Sequence, residues 1–475
     1  MSIDDCTLVS SGLRLILGLS QHNLDSDTIR ISDIPKDVRT ALKVMGVVDP
    51  ATKAFVCCPK CCACYPFDPD DLESYPAECS NQDTPESAIC GRTLRTTRNR
   101  KDGPKDNLPV RLFLYHDMMD WLATMFCRPG MEQYLDREVP DEERQSVGDI
   151  WEAPILREFL GHDGKPFLKR PGNEARLVFS LNQDGFNPYG NKQAGKKVSV
   201  GAMYMACLNL PRAIRHEVEN IYLVGIMPGP HEPSLHQINH FLRPLVDDLI
   251  RLWNDGIYLT STLCHPHGRC VRGAVIPLVC DLPAAKQMSG HASHSNHNFC
   301  SFCLLQREDM DNLDYHSWKS RSWAEHLDIA KQWRDAQSEK ARADLYVKHG
   351  VRWSELLRLP YWDPTKFTVV DSMHAFFLGL FKRHCREVWG MNIQFADGDG
   401  LSIALGNKTP TESEMMQAHD LFKTGSSKKL RRLKVEVLRQ LCRETQTLHF
   451  RGTKERMAKD LEAYVCSRTH QTVVS

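Results

Sequence analysis

The chain has no apolar run long enough to cross a membrane. Its longest such runs, at 220–228 and 274–280, fall far short of the roughly 20 residues that a transmembrane helix needs. It also lacks the basic start of a signal peptide, because it opens with the acidic MSIDDC. We therefore expect a soluble, intracellular protein without a membrane partner.

An excess of either charge is missing too. Lys plus Arg and Asp plus Glu each number 60, so the formal net charge is zero. A surface that binds nucleic-acid phosphates must then be local rather than spread over the whole protein. Two basic stretches qualify, RTTRNRK at 95–101 and KKLRRLK at 428–434. The first is also a weak nuclear-import signal, although such stretches are usually solvated loops.

A His-Glu-x-x-His motif is absent, which argues against a zinc-dependent hydrolase. Cysteine, in contrast, is abundant, with 18 residues. In a long, reduced chain, clustered cysteines indicate metal ligands rather than disulfides. The block at 57–90 offers the Cys-x-x-Cys pair Cys58 and Cys61, then Cys79 and Cys90. Four thiolates would hold a structural Zn²⁺ and tether a segment too polar to bury a core.

Other ligand sets remain open in this block, and reduced free thiols are the alternative to a metal site. Three further cysteines crowd the first pair, and any of them could replace a neighbour: Cys57, Cys62 and Cys64.

Beyond the basic linker, the hydrophobic pattern indicates regular structure. Three short apolar or alternating runs separated by Gly, Pro and Asn indicate three successive strands. An amphipathic helix, which Pro244 would kink or restart, and a fourth, buried strand follow. These elements span, in order, 175–184, 198–210, 219–229, 236–253 and 274–281.

A carboxylate ends the first of these strands and another ends the last, Asp184 and Asp281. In a ribonuclease-H-like sheet the first and fourth strands lie side by side, so the two acids would approach each other. Carboxylates suit Mg²⁺ or Mn²⁺, and a pair of such ions supports displacement at a phosphodiester. The structural alternative makes Asp184 a turn residue before Gly185 and Asp281 the N-cap of a helix at Pro283. Spacing alone favours this alternative.

Four stretches carry a resemblance to a known family: FSLNQDGFNPY, LNLPRAIRHEVENIYLVGIMPGPHEPSLHQINHFLRPLVDDL, CDLPAAKQMSGHASHSNHNFCSFC and LPYWDPTKFTVVDSMHAFFLG. They resemble fungal CACTA-type (En/Spm-like) DNA transposases, and the similarity extends in order from about Cys58 to His384. The resemblance implies an α/β, ribonuclease-H-like core with a mixed sheet. It also implies that Asp184 and Asp281 are the first two metal-binding acids of a DDE site. The expected partner is double-stranded DNA, the transposon ends, and the expected location is the nucleus.

Two zinc sites are implied by the same resemblance. Relatives carry a Cys-Pro-Lys-Cys knuckle like that of Cys58 and Cys61, which favours the four-cysteine set above. They also carry half a zinc site at the place of Cys300 and Cys303. The other half normally comes from a late His pair, which this sequence lacks. His294 is the ligand that we predict in its place, and the alternatives are His297, His374 and His384.

The third acid of the family, a Glu followed by Arg in a helix after the His pair, is also missing from that setting. Asp371 and Glu387 are the candidates for a substitute. We therefore expect the chain by itself to be deficient in DNA cleavage. The rival interpretation is a non-catalytic DNA-binding or interaction protein, either domesticated or fragmentary.

The C-terminal region predicts two short amphipathic helices joined by a Gly-containing loop, with Thr453 capping the second. This pair resembles a SAP module, a small DNA-binding unit; a solvated basic surface is the alternative. Its basic side chains would contact phosphates rather than base edges. They are Lys428, Lys429, Arg431, Arg432, Lys434 and Lys454.

The expected organisation has five parts, and the sequence leaves open whether the chain forms a homo-oligomer. The parts are an N-terminal segment (1–50), a cysteine-rich zinc module with a basic linker (51–107), an incomplete transposase core (108–395), a linker (396–427) and the SAP-like helix pair (428–466).

Overall fold

A mixed eight-stranded sheet organises the first of two compact units, Met1–Asp371, and the second unit is Ser372–Ser475. The structure is a computed structural model. It describes residues 40, 49–71, 73–98, 106–139, 147–187, 199–391, 393–395, 401–403, 410–423, 426–445 and 454–471. Most of the predicted N-terminal segment therefore lies outside the described residues, as do Thr453 and the end of the RTTRNRK stretch.

The strand order in this sheet is β2-β1-β5-β8-β7-β6-β10-β9. Its strands are β1 (Thr52–Cys57), β2 (Cys64–Phe67), β5 (Leu112–His116), β6 (Ala175–Phe186), β7 (Val200–Cys207), β8 (Ile221–Met227), β9 (Ile257–Leu259) and β10 (Arg269–Leu278). A separate ribbon pairs β3 (Arg95–Arg98) with β4 (Asp106–Pro109). The cysteine-rich hairpin of β1 and β2 thus belongs to the large sheet, because β1 pairs with β5.

The centre of the sheet follows the predicted order of strands. Strands β6, β7 and β8 form an antiparallel meander. A helix, α4 (Ile238–Asn254), then crosses over, and β10 pairs with β6 in parallel. Seven consecutive residues at the start of β6 are buried, as expected for a central strand covered on both faces. Several details differ from expectation. Pro244 lies inside an unbroken α4, and β10 begins and ends earlier than predicted. Strand β6 continues past its predicted end at Asp184 to Phe186, and β7 and β8 are shorter than predicted.

Helix α4 holds this crossover against the sheet. Its buried residues recur at helical spacing and include Phe241, Leu245 and Leu249. Burying each of these side chains contributes about 1.5–3 kcal/mol. Phe241 meets Phe113 of β5 edge-to-face at 5.0 Å. The remaining helices of this unit are α1 (Met118–Phe126), α2 (Met131–Leu135), α3 (Pro154–Glu158), α5 (Leu282–Ser289), α6 (Trp323–Asp335), α7 (Glu339–His349) and α8 (Pro364–Phe367).

A short extended segment after α8 lies beside β10. Thr368 forms a parallel bridge with Leu278, and the Val369 amide donates to the Leu278 carbonyl at 3.1 Å. The chain therefore reaches Asp371 at the end of the sheet where β6 and β10 also finish.

The second unit is mainly helical. It contains π-helical turns at Met373–Phe381 and His384–Val388 and a small ribbon of β11 (Ile393–Phe395) and β12 (Leu401–Ile403). Its helices are α9 (Glu412–Lys423), α10 (Ser427–Leu430), α11 (Val435–Glu444) and α12 (Lys454–Gln471). They share a core that includes Leu430, Leu438 and Leu461. The two predicted C-terminal helices correspond to α11 and α12, and α9 and α10 pack with them. Within the described parts of the chain, no helix is long and apolar enough to cross a membrane.

Candidate metal centres and nucleic-acid interface

The turn between β1 and β2 positions the first pair of clustered cysteines. The Cys58 amide donates to the Ala63 carbonyl at 2.9 Å, and the Cys62 amide donates to the Cys58 carbonyl at 3.1 Å. Cys62 adopts a left-handed backbone with φ of 62°, which closes the turn. Backbone hydrogen bonds hold the second pair. The Cys79 amide donates to the Arg92 carbonyl and the Cys90 amide donates to the Asn81 carbonyl, both at 2.8 Å.

These turns gather four cysteine sulfurs: Cys58, Cys61, Cys79 and Cys90 lie within 4.8 Å of one another. The sulfurs of Cys61 and Cys79 lie 3.4 Å apart, and those of Cys58 and Cys90 lie 3.8 Å apart. A tetrahedral site with Zn–S bonds of about 2.3 Å places its sulfurs roughly 3.8 Å apart. The four cysteines could therefore hold a metal ion, and their chemistry is compatible with structural zinc.

Burial affects the protonation of these thiols. It raises the pKa of Cys61 and of Cys79 above the ordinary thiol value. The Tyr65 hydroxyl lies 3.2 Å from the Cys79 sulfur, and the Lys60 amide donates to the Cys58 sulfur at 3.4 Å. Metal binding would have to displace the thiol protons, so its affinity would fall as the pH is lowered.

The crowding cysteines have a different environment. Arg111 donates to the sulfurs of Cys57 at 3.1 Å and Cys62 at 3.4 Å, as well as to the Cys58 carbonyl at 2.8 Å. The side chains of Cys57 and Cys62 pack in the main core of the first unit rather than with the four clustered sulfurs. The described residues therefore favour the set of four that spacing and the Cys-Pro-Lys-Cys knuckle indicated.

The two predicted carboxylates lie at the same end of the sheet, Asp184 near the end of β6 and Asp281 three residues after β10. Strands β6 and β10 run parallel up to the pairing of Leu181 with Leu278. The Val279 amide then donates to the Leu181 carbonyl at 2.9 Å, and the Gln183 amide contacts the Cys280 sulfur at 3.1 Å. Asp184 and Asp281 follow directly and line the same open cleft, with a volume of about 420 Å³.

Each acid can be compared with its structural alternative. Asp184 pairs with Ala202 inside a strand that continues to Phe186, so it is not a turn residue. Asp281 does cap a helix, because its Oδ1 accepts a hydrogen bond from the Ala284 amide at 2.8 Å. That bond engages one of its two carboxylate oxygens. The cap and a metal-binding role are therefore compatible.

A third carboxylate that sequence reasoning missed, Glu232, lines this cleft. It lies in the loop between β8 and α4 and accepts a hydrogen bond from the Ser199 hydroxyl at 2.5 Å. The only sequence signal was its place in the idiosyncratic GIMPGPHEPS stretch. Distance along the chain concealed its proximity to Asp184.

The two substitute candidates for the third acid fall in different units. Asp371 follows the segment beside β10, and its charge acts on the buried thiol of Cys280 between the two predicted acids. Burial, together with the charges of Asp281, Asp371 and Asp184, raises the pKa of that thiol to about 12. Asp371 therefore contributes to the negative potential at this end of the sheet. Glu387 belongs to the second unit, where it pairs with Arg383 at 3.1 Å.

The two cysteines of the predicted half zinc site lie close together. The sulfurs of Cys300 and Cys303 lie 3.3 Å apart, and the Phe302 and Cys303 amides both point at the Cys300 sulfur at 3.4 Å. His294 is exposed, and the described part of the chain contains no group of three or more ligands other than the four cysteines. The structure thus does not join His294 to this pair.

Among the alternatives in the first unit, His297 does not complete the site either. The His297 ring lies 2.5 Å from the Glu308 carboxylate. His374 and His384 lie in the second unit.

The predicted basic residues of the second unit lie on α10 and the turn after it, next to α11, and at the start of α12. Lys434 pairs with Glu414 at 2.6 Å, and Arg431 approaches Glu455 at 3.8 Å. The charges of Lys428, Lys429 and Arg432 are exposed. These three exposed side chains belong to the predicted phosphate-binding surface.

Comparison with known families bears on the region around the cleft. Residues 165–343 match the model of the transposase family tnp2. The match covers both carboxylates and the Cys300–Cys303 pair, and it supports a transposase family. No curated protein matches the chain. A function derived from a transposase, with DNA as partner, is what this match suggests.

Proposed function

We propose that the chain is a nuclear, transposase-derived DNA-binding protein of the DDE type, with a ribonuclease-H-like core and relatives among CACTA-type elements. The family match supplies the general class. The observation that carries the finer proposal is the shared cleft of Asp184 and Asp281 at the ends of parallel neighbouring strands.

The fold supports a ribonuclease-H-like assignment through its order of strands. A three-strand antiparallel meander is followed by a crossover helix and a fourth strand parallel to the first. In that arrangement an acid after the first strand and one after the fourth necessarily point to the same end of the sheet. A third, parallel segment at Thr368 extends the sheet beyond the fourth strand.

The carboxylates fit a divalent ion with hard oxygen ligands, Mg²⁺ or Mn²⁺. Asp184 is exposed at the cleft, and Asp281 has one oxygen fixed by the Ala284 amide, which orients the other. When bound, such ions polarise a phosphodiester and activate a water or 3′-hydroxyl for in-line attack. In this chain the two acids would position the ions, and the helix N-terminus at α5 would orient Asp281.

The four cysteines fit a zinc ion with a structural role, since all four positions around the metal are taken by protein. The Cys300–Cys303 pair would form part of a second zinc site. The C-terminal helices would bind DNA phosphates through their basic residues.

We propose that the chain by itself does not cleave DNA, because the third acid of the family is missing from its expected setting after a late His pair. A labelled transposon-end duplex incubated with the purified protein and Mg²⁺ should remain intact, while binding to the same duplex is retained. Nicking that disappears in Asp184→Asn but persists in the surface control Asp311→Asn would contradict this expectation. Binding that survives replacement of both acids, without any metal affinity, would favour the non-catalytic rival.

A further inference from the structure

Another open cavity of the first unit has a volume of about 590 Å³ and lies beside helix α6. Its wall comes from residues between 298 and 306, from α6 and from the end of α7. The residues that line it are different from those of the cleft of Asp184 and Asp281. Its charged or titratable side chains are four basic and two acidic ones, so it suits an anion better than a cation.

The N-terminus of α6 opens at this cavity. Arg321 and the capping residue Ser322 both line it. The backbone amides of Trp323 and Ala324, in the first turn, donate to no acceptor in the described part of the chain. Free amides at the positive end of a helix dipole bind anions such as phosphate. A helix N-terminus alone, however, does not establish a ligand.

Arg321 brings a positive charge to the same place. Its Nε donates to the Cys300 carbonyl at 2.8 Å, which fixes the side chain. No carboxylate of the described residues pairs with this guanidinium, and the groups of opposite charge that act on it are the thiols of Cys300 and Cys303. A guanidinium without a carboxylate partner is suited to phosphate, because its planar N–H groups match two phosphate oxygens.

An independent observation comes from His326, which also lines the cavity. This side chain is only 3% exposed, and both of its ring nitrogens lack a hydrogen-bond partner among the described residues. Burial, together with the nearby charge of Arg321, lowers the pKa of His326 to about 3, so the ring is neutral and carries one N–H. A buried imidazole without any partner is unfavourable. A phosphate oxygen in the cavity would accept the bond that His326 can donate.

The two acidic side chains of the wall, Glu325 and Asp328, do not oppose an anion strongly. Both are exposed, and the Asp328 carboxylate accepts a hydrogen bond from the Gln332 amide at 2.7 Å. Neither acid acts on the pKa of His326, whereas Arg321 does. Solvent therefore screens these two charges more than it screens the buried wall.

We propose that this cavity binds a phosphate group, held by the N-terminus of α6, Arg321 and His326. The site depends neither on the two-acid metal site nor on the basic residues of the C-terminal helices. A DNA phosphodiester and free phosphate offer the same chemistry, and the experiment below separates these two sources.

Binding of inorganic phosphate to the full chain, measured by calorimetry, tests this inference. Arg321→Gln should weaken phosphate binding at least about 10-fold, because it removes a charge-assisted hydrogen bond. His326→Phe keeps a ring of similar size and removes both nitrogens, so it should weaken phosphate binding without lowering the melting temperature. Lys331→Gln removes an exposed charge of α6 outside the cavity and should bind phosphate like the unaltered chain.

A salt series with duplex DNA identifies the source of the phosphate. If it is DNA, Arg321→Gln should lower the magnitude of the slope of log affinity against log salt concentration by about 0.9. An unchanged slope together with lost phosphate binding would assign the cavity to free phosphate. Phosphate binding that is undiminished in both Arg321→Gln and His326→Phe would overturn the inference, and the proposed DNA binding by the C-terminal helices would stand.

Discussion

Replacing one of the four clustered cysteines should abolish zinc binding at that site and unfold the segment around it. The physical reason is the small size of its own core, which contains Val56, Tyr75 and Leu94 together with the ligands themselves. A structural zinc ion bound by a small module contributes about 10–16 kcal/mol of apparent binding free energy at neutral pH. Such a segment has little apolar surface with which to replace that contribution.

Cys79→Ser is the variant of choice, because Cys79 comes from the chain that the β1–β2 hairpin must hold in place. We expect the loss of one equivalent of zinc in metal analysis and new protease cleavage between residues 68 and 92. Cys127→Ser removes an exposed cysteine outside the group and should change neither readout. Full zinc content together with protease resistance in Cys79→Ser would show that the four sulfurs do not hold a metal.

Neutralising the accessible basic side chains of the second unit should strongly reduce DNA binding. Lys428, Lys429 and Arg432 are exposed, whereas the charge of Lys434 is engaged by Glu414. Each phosphate contact contributes about 0.9 to the slope of log affinity against log salt concentration. The triple Gln variant should therefore lower the magnitude of that slope by roughly 2.7 and weaken duplex binding about equally for all sequences.

The core of α10 to α12 should tolerate this variant, since its buried contact at this point is Leu430. A matched control removes three exposed lysines of the first unit: Lys319, Lys331 and Lys340. Fluorescence anisotropy across a salt series would measure both. Equal loss of binding in the two triple variants would mean that only net charge matters and that the C-terminal helices are not a specific interface.

The sequence predicted the central strands because their signal is local. Alternation of apolar residues and turn residues located β6, β7 and β8, and the amphipathic stripe located α4. Parallel pairing of β6 with β10 followed only from the ribonuclease-H-like analogy, since no local pattern specifies a partner strand. The same is true of β1, whose pairing with β5 attaches the cysteine-rich hairpin to the sheet.

The candidate site was predictable where ligands are close in sequence and not where they are distant. Cys58 and Cys61 are identified by their Cys-x-x-Cys spacing, whereas Cys79 and Cys90 were predicted only from their place in the same cysteine-rich block. Glu232 could not be found, because a single Glu in a loop has no pattern, and only the fold brings it beside Gly185. The helix cap of Asp281, which the sequence offered as the structural alternative to a metal-binding role, is present.

Mn²⁺ titration of matched variants tests most directly whether Asp184 and Asp281 jointly hold a divalent ion. Asp281→Asn preserves the helix cap and Asp184→Asn lies at an exposed strand end, so both should fold. Each should weaken Mn²⁺ binding at least about 10-fold, and the double variant should lose it, while Asp311→Asn binds normally. Undiminished Mn²⁺ binding in the double variant would contradict the account.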